Sequence, residues 1–250
     1  MRNHHEKLGT DKIPGLLLRQ SLPAMFGLLM ISLYNVVDTI FIGQSVGTLG
    51  IAALTIAFPI QMIVISVAQT VGIGASSIIS RSLGSNDQKT AENTLGNFLS
   101  INIALGIFVT IIGLVFLPTF LRIFGATDTI LPYATEYMEV ILYGTLFLCF
   151  TAGSNTIIRA EGNAKLAMYI MLLSTVTNVI LDPIFIFGLD MGLRGAAIAT
   201  VISQVVSGIF ALHYFVSGKT SIKIHLKTLI LKWKTIRSIF AIGSSALARQ

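Results

Sequence analysis

Charge is scarce in this chain of 250 residues: only 11% are Asp, Glu, Lys or Arg, while 54% are hydrophobic. A soluble domain carries about 25% charged residues, and a chain this apolar has too little polar surface to cover itself in water. A soluble enzyme, a soluble nucleic-acid-binding domain and a disordered tail are excluded on that ground. Cysteine is almost missing, and Cys149 alone rules out a disulfide framework or a cysteine-rich metal site. What remains is an all-α membrane protein crossing the bilayer several times.

The gaps between charges count the crossings. From Arg19 to Arg81 the only acid or base is Asp38. A hydrocarbon core of about 30 Å takes roughly 20 helical residues, so this stretch holds two spans. The glycine-rich segment Gly43–Gly50 supplies the turn between them. The spans expected are Leu16–Ile42, Ile51–Ser80, Asn93–Leu121, Val140–Ile158, Leu166–Leu189 and Gly195–Gly218. Their runs are continuously apolar rather than alternating, which favours a six-transmembrane-helix bundle over a barrel. A lysine-rich linker, 219–236, is expected to lie in the inner interface. Residues 237–250 read as the start of a seventh helix, cut short. A signal peptide is not expected, because the first apolar stretch is too long.

Bases outnumber acids, 17 to 11, but their placement speaks of topology. The N-terminal tail, the loops after spans two and four, and the segment after span six together hold fourteen of them. The opposite side holds only Arg122 and Arg194. The basic side is expected to be cytoplasmic, with the N-terminus there. No nucleic-acid partner is implied. Laying Lys12–Ala24 over Lys234–Ala246 pairs the lysines and alanines at a shift of 222 residues, a weak sign of two related halves.

Acids inside the membrane are costly and point to function. Asp38 precedes Gly43 by five residues and Asp182 precedes Gly188 by six. At about 1.5 Å per residue both lie roughly 8–9 Å below the outer boundary. Thr200 on the returning sixth span reaches a similar depth, and Asn178 stands one turn before Asp182. Pro183 removes an amide donor from the helix. Two carboxylates, an amide and a hydroxyl at one level make an oxygen cage suited to a hard cation such as sodium, or to one shared proton. Tyr34, Asn35, Asn155, Met171, Thr175 and Gln204 are the candidates for lining a central cavity. Cys149 and His213 are expected to be packed, His4 and His5 solvated, and Glu136 and Glu139 wet. Gly72 and Gly74 suggest close helix packing. Ser217-Gly218-Lys219-Thr220 is no phosphate loop, since His213 occupies the place of its first glycine.

Four segments carry a family resemblance. Gly72-Ile73-Gly74-Ala75-Ser76-Ser77 through Arg81 to Gly84, with Asn86, Asp87 and Ala91, resembles the second-span exit of the multidrug and toxic compound extrusion (MATE) family. Ile158-Arg159-Ala160-Glu161-Gly162-Asn163-Ala164-Lys165 is similar to its span 4–5 loop. Asn178–Pro183 and Gly192–Thr200 are similar to its fifth and sixth spans. The resemblance implies one lobe of a twelve-helix transporter, its C-terminal lobe missing here. It further implies export of bulky, often cationic organic compounds by alternating access, driven by sodium or proton entry across the plasma membrane and without a cofactor. In the bacterial and archaeal branches, the positions matching a cation site are Asp38, Asn178, Asp182 and Thr200, and Asn155 matches a cavity position. Two other readings are weighed. A flippase for lipids or lipid-linked saccharides is disfavoured because no span shows a buried Lys or Arg. A two-aspartate intramembrane protease is disfavoured because Pro183 follows Asp182 directly.

Overall fold

The computed structural model describes residues 13–218, 220, 222 and 226–247. Among the described residues seven α-helices follow in order: α1 Ile13–Ser45, α2 Thr48–Gly84, α3 Gln88–Ile123, α4 Leu131–Ala160, α5 Ala164–Pro183, α6 Gly192–Val216 and α7 Trp233–Leu247. A π-helical turn, Ile184–Gly188, extends α5, and a 3-10 turn, Leu226–Leu229, precedes α7. The first six helices are long and apolar enough to cross a membrane. The basic N-terminal tail, with His4 and His5, lies outside the described residues, as do 219, 221, 223–225 and 248–250.

Most span boundaries fall within a few residues of those expected from charge spacing. The fourth span does not. α4 starts at Leu131, with Pro132 in its first turn, nine residues earlier than expected. Glu136 and Glu139 sit on the exposed face of those extra turns, so the helix carries them at no desolvation cost. The expected glycine turn is also shorter, because α1 and α2 run on until only Val46 and Gly47 separate them. Gly47 adopts a left-handed φ of 76°, open to glycine without strain.

α4 is the central strut, packing against α2, α3 and α6, while α1 leans mainly on α5. Its burial explains why: Tyr137, Met138, Ile141, Leu142, Cys149, Ile157 and Ile158 are all covered. Lipid is as apolar as leucine, so the bundle holds by close packing rather than by hydrophobicity alone. Gly72 on α2 meets Gly153 on α4, where an added Cβ would lie 2.7 Å from the Gly153 Cα. Gly74 faces Ile239 of α7, and Gly243 of α7 faces Thr70 of α2, so these helices also cross backbone to backbone. One apolar core, around Phe98, Ile157 and Phe215, fills the end with the basic loops. A second, around Ile42, Leu121, Met138 and Ile186, fills the opposite end.

His213 is exposed rather than packed, since it lies on the outer face of the last turns of α6. In its described part the lysine-rich linker forms a 3-10 turn that docks on α3: Ser100 donates to the Leu229 carbonyl at 2.6 Å, and the Lys232 N–H donates to the Asn97 Oδ1 at 2.7 Å. These bonds hold the backbone in a turn that a continuous helix would forfeit, and α7 begins at Trp233, inside the stretch assigned to the linker. The buried Glu161 carboxylate accepts from the Tyr214 hydroxyl at 2.5 Å and the Thr220 hydroxyl at 2.5 Å. Burial pushes this carboxyl above the ordinary glutamate range, against the opposing pull of those two hydrogen bonds.

Candidate functional site

The packing of α1 on α5 brings the two intramembrane acids together. Asp38 is 7% exposed and Asp182 is fully buried. Their charges lie within range of one another. The Asn178 Nδ2, one turn before Asp182, donates to the Asp182 Oδ1 at 3.3 Å and to the Thr200 Oγ1 at 3.2 Å. Thr200 reaches this point because α6 approaches the π turn closely: a Cβ on Gly195 would lie 2.8 Å from the Phe185 carbonyl. One turn on, the Ser203 hydroxyl donates to the Thr200 carbonyl at 2.7 Å.

Asn178, Asp182 and Thr200 are thus joined by hydrogen bonds, with Asp38 on the neighbouring α1. Three of their acceptors, Asp38 Oδ1, Asn178 Oδ1 and Asp182 Oδ2, are buried without any hydrogen-bond partner. Each such orphan costs about 1–3 kcal/mol unless something positive meets it. Among the described residues, no three His, Cys, Asp or Glu side chains cluster to hold a metal. Two carboxylates with neutral oxygens suit a monovalent hard cation or a proton.

Two phenols stand nearby. Tyr34 stands a turn before Asp38, and Tyr137 on α4 is buried in the same core as Ile42 and Ile186. Tyr137 receives a hydrogen bond from Gln61 at 3.4 Å. Sequence reading missed Tyr137 because it lies between two glutamates, on turns placed outside the membrane. A buried aromatic hydroxyl in an extended fourth span would have revealed it.

The cavity candidates separate. Thr175 is buried, and Asn155 donates to the Ala167 carbonyl at 2.9 Å, bridging α4 to α5. Asn35 is exposed and donates to the Ile31 carbonyl of its own helix at 3.0 Å. The Gln204 Oε1, with the Thr151 and Ser154 hydroxyls, is buried and lacks a partner. Met171 lies 3.1 Å from the Arg159 Nη2. Arg159 is partly buried and follows the expected fourth span, Val140–Ile158, so it lies outside the spans expected to hold no buried Lys or Arg.

The MatE family profile matches residues 23–184. The multidrug export protein MepA of Staphylococcus aureus (strain MRSA252) is 31% identical over 226 residues, covering 90% of this chain and 50% of the relative. A FAD transporter of Shewanella oneidensis is 33% identical over 211 residues, covering 83% of this chain and 46% of the relative. The chain thus spans about half the length of the curated relatives it matches. An outward-facing MATE family transporter of the MOP superfamily superposes with a TM-score of 0.87 at 34% identity, covering 93% of this chain and 52% of that one. A MATE structure in the bent conformation gives 0.86 at 33% identity, with 93% and 52% covered. With its six apolar helices and this match over most of its length, the chain belongs to the MATE family of transporters.

Proposed function

We propose that this chain forms the first lobe of a cation-coupled exporter of organic, often cationic, compounds. The observation that carries the reading is the trio of orphaned acceptors on Asp38, Asn178 and Asp182, drawn from two helices, with the Asn178 amide also donating to Thr200 on a third. A proton or a sodium ion, as the coupling substrate, satisfies these oxygens and removes the repulsion between the carboxylates. Binding then favours the arrangement in which α1, α5 and α6 are drawn together, and release favours the other. That differential affinity couples the ion to the shape of the cavity beside Tyr34, Asn35, Asn155, Met171, Thr175 and Gln204. The name of MepA supports drugs as substrates, and the FAD transporter widens the range toward anionic compounds. The distribution of Lys and Arg supports a plasma-membrane protein with its N-terminus in the cytoplasm. Alternating access requires a second lobe, which the family's longer members supply.

Efflux by the intact transporter in proteoliposomes tests the proposal. Wild type expels a cationic dye when an inward sodium or proton gradient is imposed. The Asp38→Asn variant folds but no longer responds to the gradient. Unchanged gradient-driven efflux in that variant removes the mechanism.

A further inference from the structure

Arg159 ends α4 on the side of the basic loops, where an arginine ordinarily turns its head out to water or lipid phosphate. Here the head turns inward. Its Nη2 lies 3.1 Å from the Sδ of Met171. Met171 stands seven residues into α5, roughly 10 Å along the helix from Ala164. The Nε is buried and has no partner. Among the described residues Arg159 forms no ion pair, and Glu161, the nearest acid in the chain, is occupied by Tyr214 and Thr220. A guanidinium offers five N–H donors, and a thioether is a weak acceptor for one of them. A partly buried cation without a counter-charge keeps donors that an anionic ligand can take up.

The surroundings say what kind of ligand. Met171 touches the position where a Cβ of Gly27 would stand, so the head lies where α1, α4 and α5 meet. Asn155 is one turn before Arg159 on the same face of α4. Met171 and Asn155 are both candidates for lining the transport cavity. We propose that Arg159 is an oxyanion subsite at the inner end of that cavity. Its fork takes a carboxylate edge or two phosphate oxygens. The inference rests on the exporter reading and adds a substrate class to it: amphiphiles that carry an oxyanion beside an aromatic or cationic body. An anionic lipid offers the same phosphate chemistry to the same fork.

The test uses a matched pair of dyes, rhodamine 110 with a free carboxylate and its methyl ester rhodamine 123. Binding to the intact transporter in lipid nanodiscs is followed by fluorescence anisotropy. In Arg159→Gln the acid-to-ester affinity ratio falls by about tenfold, and Arg159→Lys, keeping the charge but not the fork, falls part of the way. In a second arm the nanodiscs contain phosphatidylcholine with or without phosphatidylglycerol. If lipid phosphate uses the site, phosphatidylglycerol weakens binding of the acid to wild type and has no such effect on Arg159→Gln. Either arm supports the subsite. An unchanged ratio with no phosphatidylglycerol effect overturns it, as does an equal loss of both dyes in a variant that elutes as a folded protein. If the ratio depends on Arg159 but neither dye is driven out by an ion gradient, the subsite stands and the exporter reading fails.

Discussion

Asn178 and Thr200, on helices separated by the π turn, are joined at 3.2 Å by an amide that also donates to Asp182 at 3.3 Å. One side chain thus fixes the distance between α5 and α6 and orients a carboxylate. Removing the amide leaves two buried partners unpaired, at a cost of about 1–3 kcal/mol. Asn178→Leu is expected to lower the thermal midpoint of the purified transporter. Thr200→Val adds little further loss on top of it, because both changes break the same bond. Full additivity in the double variant contradicts the arrangement.

The crossing of α2 over α4 depends on two glycines. A side chain at Gly72 meets the Gly153 backbone and the Thr156 hydroxyl, each at 2.7 Å from its Cβ. Backbone cannot yield as a flexible side chain can. Gly72→Leu is expected to cost about 3 kcal/mol or more and to shift the protein to aggregates in size-exclusion chromatography. Gly84 has open space around it, so Gly84→Ala serves as the control and stays monodisperse. Equal behaviour of the two contradicts the packing described.

Glu161 predicts a pH dependence of stability outside the membrane. Its carboxyl is held above the ordinary glutamate range because burial outweighs the hydrogen bonds from Thr220 and Tyr214. The folded state therefore binds this proton more tightly than the unfolded chain does. Stability from this group is greatest below the ordinary glutamate range, about 4.3, and declines as pH rises through the elevated folded value. Glu161→Gln keeps the shape and cannot ionise. Across that window the variant's thermal midpoint should fall less with rising pH than that of wild type. Parallel curves contradict the assignment.

The helices were legible because charge spacing is a one-dimensional signal: Arg19, Arg81, Lys89, Arg122 and Lys165 bracket spans that the structure keeps. Charges riding on a wet face blur it, as Glu136 and Glu139 did at the start of α4. The depths of Asp38 and Asp182 could be counted along the chain, and the structure brings those carboxyls into range of each other. Tyr137 and Arg159 could not be reached this way. Each depends on which direction a side chain takes from a helix end, and tertiary packing decides that. The dock of the linker on Asn97 and Ser100 was hidden for the same reason, since backbone carbonyls carry no sequence signal.

The central claim is that Asp38 and Asp182 share one monovalent cation. Calorimetric titration of the intact transporter with sodium, at several pH values and with proton uptake recorded alongside, measures it. The account predicts one bound equivalent, sodium or proton, in wild type, and its loss in Asp38→Asn and in Asp182→Asn alike. A full equivalent retained by either variant contradicts it.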